Sequence, residues 1–224
     1  MNLNKSREFF DPEMFDAPVH IIGCGAVGST IAENLARLGI KELTLWDFDE
    51  VEEHNIANQM FLTKHIHKPK MQAVEDICKD INPDIIINQR GKYEDESLSG
   101  YLFICPDSIK VRRSILENNL GNNNILGIFD GRMRLTDAQH FASDWTTLEK
   151  RKALLDTMNF TDEEATAETP ISACGTSLSV CFTVRCLVSL MVANFINYAL
   201  GKPIQKMITI DLQSFIIDSF VDKN

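Results

Sequence analysis

The sequence predicts an α/β protein, a doubly wound, Rossmann-like mixed sheet with a parallel N-terminal half and antiparallel C-terminal strands. Three observations predict it. A β-rich tetrad, Val19 to Ile22, runs into a glycine-rich turn and then a helical pattern. Apolar runs and helical patterns go on alternating as far as Phe129, as in a sheet built from crossover units. Beyond Asp137 the alternation stops, leaving strand-like runs with no crossover helix between neighbours.

Val19-His20-Ile21-Ile22 ends in Gly23-Cys24-Gly25-Ala26-Val27-Gly28. Ile31, Leu35 and Leu38 then keep helical period, and Gly39 stops the helix as a left-handed C-terminal cap does. Leu43 to Trp46 is the second strand, ending at Asp47, so residues 18–47 form one β–α–β unit. Residues 48–69 are irregular and long for a connection, which marks a functional loop. A helix over Lys70 to Ile81, with Pro83 beyond it, leads to a third strand at 84–88. Tyr101 to Cys105 is the fourth strand, Asp107-Ser108 caps a helix running to Asn119, and Ile125 to Phe129 is the fifth strand.

Residues 138–142 and 207–221 read as antiparallel strands. Between them lie a polar segment, 143–170, expected to be a mobile flap, and a long helix near 178–200. No repeat or linker divides the 224 residues, so a single domain over 1–224 is expected.

The charge narrows the partners. With 22 basic against 32 acidic residues the net charge is −10, which disfavours a nucleic-acid or anionic-membrane surface. The longest apolar stretch, 177–200, contains Arg185, which costs about 2.5–3.5 kcal/mol at a bilayer centre, so a buried helix and no membrane span are expected. None of the six cysteines forms a C-x-x-C pair, so no structural zinc is expected. Cysteines within apolar runs, and no secretory leader, point to a cytoplasmic protein. Cys24, Cys105, Cys181 and Cys186 read as core packing, and His65 and His67 as polar surface.

Gly23, Gly25 and Gly28 form G-x-G-x-x-G between a strand and a helix. The first permits a tight turn, the second a close approach of backbone N–H groups to phosphate, and the third close helix–sheet packing. Asp47, at the end of the next strand, is placed to hold ribose hydroxyls. To this point a dinucleotide and ATP fit equally. Asn55, Gln59 and Lys70 then favour a triphosphate, because a dehydrogenase has no use for amides and an ammonium after its ribose acid. By position alone, Lys70 reads as a solvated surface lysine, as nearly every lysine does.

In order, G-x-G-x-x-G-S, D-F-D-x-V-x-x-x-N-x-x-x-Q, P-K before a helix ending Ile-Asn-Pro, and Cys105-Pro106-Asp107-Ser108 resemble the ubiquitin-activating-enzyme-like adenylyltransferase family of ThiF, MoeB and HesA. The likeness is specific over 19–120 and weaker at Ala173 to Ser177. It implies ATP- and Mg2+-dependent adenylation of the C-terminal glycine of a ubiquitin-like or sulfur-carrier protein, by a homodimer. The three glycines would hold the nucleotide and Asp47 the ribose. Asp49, Asn55 and Gln59 would shape the phosphate pocket. Lys70 would neutralise phosphate charge, and Asp107 would hold Mg2+, unless it is a simple helix cap. Cys174 aligns with a cysteine some members use to form a covalent adduct with the carrier; its other reading is a small residue packed under a helix start.

One departure matters. The family has Arg before the glutamine matched by Gln59, and this chain has Asn58. Arg7, Lys64, Lys68 or a neighbouring subunit would have to supply the missing cation. Two rival readings follow: a catalytically impaired ATP-binding scaffold, motivated by Asn58, and an NAD(P)-dependent oxidoreductase, which leaves Asn55, Gln59 and Lys70 idle.

Overall fold

A computed structural model describes residues 1–171 and 178–221. Its strands are β1 (Val19–Ile22), β2 (Glu42–Trp46), β3 (Ile86–Gln89), β4 (Gly100–Ile104), β5 (Ile125–Arg134), β6 (Asp137–Ser143), β7 (Gln205–Asp211) and β8 (Ile216–Val221). They form one sheet in the order β3-β2-β1-β4-β5-β6-β7-β8. The first five run parallel, and β6, β7 and β8 follow antiparallel, as the sequence predicts. The helices are α1 (Ala26–Arg37), α2 (Lys70–Ile81), α3 (Ile109–Asn118), α4 (Leu148–Asp156), α5 (Asp162–Glu168) and α6 (Cys181–Ala199).

Because side chains alternate along a strand, the sheet feeds two cores. Ile21, Leu43, Leu45, Phe103 and Phe129 pack with Ile31 and Leu35 of α1 and with Leu187, Met191 and Phe195 of α6. On the other face Ile22, Trp46, Leu102, Ile104 and Ile128 pack with Ile115 of α3 and Leu154 of α4. α6 is long and apolar enough to cross a membrane by composition, yet Val184, Leu187, Val188, Met191 and Phe195 are fully buried against the sheet and α1. Gly131 admits it: a Cβ there would stand 2.5 Å from the Met191 sulfur.

Four expectations need correcting. Residues 143–160 are packed where a flap is expected. Trp145 is fully buried and donates its indole N–H to the Asn119 carbonyl at 3.2 Å. Arg151, also buried, donates to the carbonyls of Trp145 and Leu120. The polar composition hid an apolar side made of Trp145, Leu154, Leu155 and Met158. Only α5, with no buried residue, stays on the outside. Cys181 is exposed and Cys186 half-buried, since they share the outward side of α6 with Phe182, Arg185 and Ser189 while Thr183, Val184, Leu187 and Val188 face the core. His65 is fully buried: its ring meets Phe61 edge-on and its Nδ1 accepts the Leu62 N–H at 3.1 Å, which fixes a tight turn no composition rule reveals. Finally, β5 continues to Arg134 because its polar end pairs fully with β6.

Candidate active site at the carboxyl ends of the parallel strands

Strand order reverses between β1 and β4, and the region beyond the carboxyl ends of these two strands is the crevice where such sheets usually take ligands. The residues after β2, β1 and β4 meet there.

Gly23 has φ of +92°, and its N–H donates to the Trp46 carbonyl at 2.8 Å. Its vacant Cβ position lies 2.8 Å from the backbone of Cys105 and Pro106, so the turn rests directly on the end of β4. Gly28 is needed for packing, because a Cβ there would sit 1.8 Å from the Gly23 carbonyl oxygen. Gly25 differs: a Cβ would meet nothing within 4 Å. Gly25 is also the N-cap of α1, which has no side-chain cap and no acidic residue in its first turn. The leading N–H groups of α1 therefore face the crevice with a partial positive charge, a cradle for an anion.

Asp47 is buried, and its carboxylate braces this turn. One oxygen accepts the Cys24 N–H at 2.6 Å and the other the Asp49 N–H at 2.8 Å. An ionised carboxylate has further lone pairs, so it can still accept a ribose hydroxyl.

The loop 48–69 folds back on itself. Val51 N–H donates to the Lys68 carbonyl, His67 N–H to the Val51 carbonyl, and Lys70 N–H to the Asp49 carbonyl. This hairpin-like return delivers the Lys70 ammonium to the Asp49 carboxylate at 2.8 Å, with the lysine side chain only 12% exposed. Lys70 is thus held by a partner and is not a free surface lysine. Asn55 is buried and serves the loop, its Oδ1 accepting the Glu52 N–H at 2.9 Å. Gln59 behaves otherwise: its Oε1 is buried and has no hydrogen-bond partner among the described residues, so it is free to meet a ligand donor.

At the end of β4 the helix cap is Ser108, whose hydroxyl accepts the Val111 N–H at 3.2 Å. Asp107 is exposed and, among the described residues, accepts only the adjacent Ser108 N–H at 2.9 Å, so its carboxylate remains available. Lys70, Asp49, Asp47, Cys24, Gly23, Pro106 and Asp107 form one continuous line of contacts along the crevice. Cys174 lies outside the described residues.

Residues 12–223 match the ThiF family. The chain belongs to the ThiF family. It is 44% identical over 70 residues to ubiquitin-like modifier-activating enzyme 5 of Branchiostoma floridae, covering 31% of this chain and 17% of that protein. It is 28% identical over 123 residues to ubiquitin-activating enzyme E1 1 of Candida albicans, covering 54% of this chain and 12% of that one. The chain thus matches less than a fifth of the length of these relatives. Among solved structures, Escherichia coli MccB superposes with a TM-score of 0.71 at 16% identity, covering 99% of this chain and 71% of MccB. The structure of PaaA gives 0.68 at 16% identity over 92% of this chain and 64% of that one. The mixed eight-stranded fold is therefore shared with them.

Within this ThiF-family fold, three cationic groups named above as substitutes for the missing arginine are engaged elsewhere. Lys68 pairs with Asp76 at 2.8 Å and Lys64 with Asp80 at 3.5 Å. Arg7 pairs with Asp11, in the segment that packs Leu3 and Pro12 on Gly39, at the far end of α1 from Gly25. Asn58 donates to the Ser179 hydroxyl at 2.9 Å and so ties the loop to the start of α6. Sequence reasoning passed over Arg185. Its exposed guanidinium lies against the sulfur of Met60, whose N–H donates to Ser29 in the first turns of α1. Its only sequence signal is a lone charge inside an apolar helix.

Two more groups were missed. Arg112 is buried, pairs with fully buried Asp130, and donates to the Pro106 carbonyl at 2.6 Å and the Gly131 carbonyl at 2.8 Å, so it fixes the turn that carries Asp107. Arg132 reaches the second Asp130 oxygen at 2.6 Å. Asp162, from α5, accepts the Ser108 hydroxyl at 2.8 Å and the Ile109 N–H at 2.5 Å, and the serine bond holds its carboxyl below the usual range.

Proposed function

We propose that this chain uses ATP to adenylate a carboxylate, the C-terminal glycine of a ubiquitin-like or sulfur-carrier protein. The observation that carries the reading is the pairing of an uncapped helix N-terminus, opened by Gly25, with a lysine delivered to the same crevice by Asp49. Family membership and the ubiquitin-like modifier-activating enzymes among its relatives support the chemistry. A dinucleotide oxidoreductase accounts for the glycines and Asp47 but gives the buried, unpaired Gln59 oxygen and Lys70 nothing to do.

In this mechanism the α1 amides receive the phosphates and Asp47 receives the ribose. Lys70 moves from Asp49 toward phosphate oxygen, offsetting the charge that repels an incoming carboxylate. The carboxylate oxygen attacks the α-phosphorus in line, an acyl-adenylate forms, and the bond to the bridging oxygen breaks to release pyrophosphate. Arg185, beside Met60 and uncompensated by any ion pair among the described residues, supplies the guanidinium missing at position 58 and holds the departing phosphates.

Among the described residues no three metal-binding side chains converge. A single free carboxylate suits Mg2+, which is bound by one or two carboxylates plus substrate phosphates, and Asp107 is that carboxylate. When bound, Mg2+ would neutralise phosphate charge. A later transfer to the Cys174 thiol belongs to the same reading, as does a reducing, cytoplasmic setting, supported by the free thiols of Cys24, Cys78 and Cys105. Loss of the carrier adduct in Cys174→Ala is expected, and its persistence would rule the thiol out.

Carrier-dependent ATP–pyrophosphate exchange tests the whole. Lys70→Ala should fold normally and lose at least about a hundredfold of the exchange. Unchanged exchange would remove Lys70 from the chemistry, and calorimetric binding of NAD in preference to ATP would remove adenylation altogether.

A further inference from the structure

Two single turns of 3-10 helix, Glu53–Ala57 and Thr63–His65, fold the loop between β2 and α2, and one device closes both. In the first, the Asn55 Oδ1 accepts the Glu52 N–H at 2.9 Å, three residues back. In the second, the His65 Nδ1 accepts the Leu62 N–H at 3.1 Å, again three residues back. Both side chains are buried. His65 is also the pivot of the loop's return. Its N–H donates to the Leu62 carbonyl at 2.8 Å, and its carbonyl accepts the Lys68 N–H at 2.9 Å. His67, at φ of +70°, then turns the chain back onto Val51, and the Lys70 N–H meets the Asp49 carbonyl at 2.8 Å. The two caps differ in one respect. A carboxamide oxygen accepts at every pH, whereas an imidazole nitrogen accepts only while it is unprotonated.

We propose that His65 is the positioning residue for Lys70, holding the loop in the return that delivers the lysine to the crevice, and that proton uptake by its ring releases this return. The inference rests on the adenylation reading only for what Lys70 does once delivered. Because Nδ1 accepts, the proton of the neutral ring sits on Nε2, which is buried and has no partner among the described residues. A second proton has to go onto Nδ1, which takes away the Leu62 acceptor and leaves both ring N–H groups unpaired. Phe61, packed across the ring, has no lone pair to offer. The charged groups nearby pull in both directions. Burial foremost, then the Lys64 ammonium and to a lesser degree Lys68, hold the His65 pKa below the usual imidazole value, against the pull of Asp76 and Asp80. Those two carboxylates are already paired, with Lys68 and Lys64. In an opened loop the ring titrates near 6.5, so the opened form takes the proton more readily than the closed one, and acid favours opening.

Amide hydrogen exchange followed by NMR reads the opening directly, without nucleotide. Between pH 7.5 and 5.5, after correction for the intrinsic rate, protection of the Leu62, Lys68 and Lys70 amides should fall at least about threefold and at most about tenfold, the limit one proton sets over that range. The Glu52 amide, capped by Asn55, should keep its protection. His65→Asn puts a carboxamide oxygen where Nδ1 stands and should abolish the fall. Calorimetry at pH 7.5 tests the link to Lys70. His65→Ala should weaken ATP binding at least about fivefold, and His65→Asn should restore it to within about twofold of wild type. Wild-type protection of Leu62 that ignores pH would overturn the proposal, as would an equal fall in His65→Asn or a parallel fall at Glu52. Full ATP affinity in a folded His65→Ala would do the same. If His65→Ala fails to fold, the wild-type and His65→Asn measurements decide alone. A wild-type protein that does not bind ATP at pH 7.5 would instead overturn the adenylation reading, and amide exchange would still judge His65.

Discussion

The Asp47 carboxylate and the Cys24 amide are joined by a 2.6 Å hydrogen bond, which ties the end of β2 to the glycine turn after β1. One side chain thereby sets the shape of the phosphate cradle and lines the ribose position. Asp47→Asn cannot accept at both ends, because its amide nitrogen must face either the Cys24 or the Asp49 N–H. That leaves a buried donor unpaired, at about 1–3 kcal/mol. Thermal unfolding should shift down by several degrees and the calorimetric Kd for ATP should rise at least about tenfold. A variant with unchanged affinity would remove Asp47 from the nucleotide site.

The glycines divide by cause. Gly28→Ala forces a methyl onto the Gly23 carbonyl, so the protein should be strongly destabilised or fail to fold. Gly25→Ala adds its methyl to open space at φ of −75°, so the melting temperature should hold while ATP affinity falls sharply. Equal ATP affinity in Gly25→Ala and wild type would mean that the phosphates do not approach this turn.

Arg185 is expected to act on the phosphates. Arg185→Ala should lower ATP–pyrophosphate exchange by about ten- to a hundredfold with stability unchanged, since the side chain is exposed. Arg185→Lys should recover only part, because an ammonium lacks the bidentate fork. Rescue of the Ala variant by Asn58→Arg would bear the substitution out, and an Ala variant with wild-type exchange would take Arg185 out of the clamp.

His140 makes stability depend on pH. It is fully buried, with Nδ1 3.0 Å from the Asp130 carbonyl oxygen and Nε2 2.9 Å from the Asn194 amide, and burial lowers its pKa to about 4. The unfolded chain, titrating near 6.5, binds the proton more readily, so stability from this group is complete above that value. It falls as pH drops from about 6.5 to 4, by on the order of 3 kcal/mol. Denaturant unfolding followed at pH 7 and pH 5 checks the slope, and NMR should show a neutral ring at pH 5. A ring that titrates near pH 6.5 in the folded protein would contradict this.

Sequence alone determined the β–α–β unit and the parallel and antiparallel halves of the sheet, because each rests on local rules. Gly39 does adopt positive φ at the end of α1, and Lys70 does open α2, since turn and cap chemistry act within a few residues. The carboxyl-end crevice was legible for the same reason. Three things were decided only by tertiary structure. Lys70 is held by Asp49 because a loop of some twenty residues returns on itself, a matter of hydrogen bonds between Val51, His67 and Lys68 that no periodicity encodes. Arg112 and Asp130 find each other across a helix and a strand, and the cost of burying either alone forces the pair. Arg185 reaches Met60 only because α6 packs along α1, and that contact depends on how whole elements fit together rather than on any pattern within one of them.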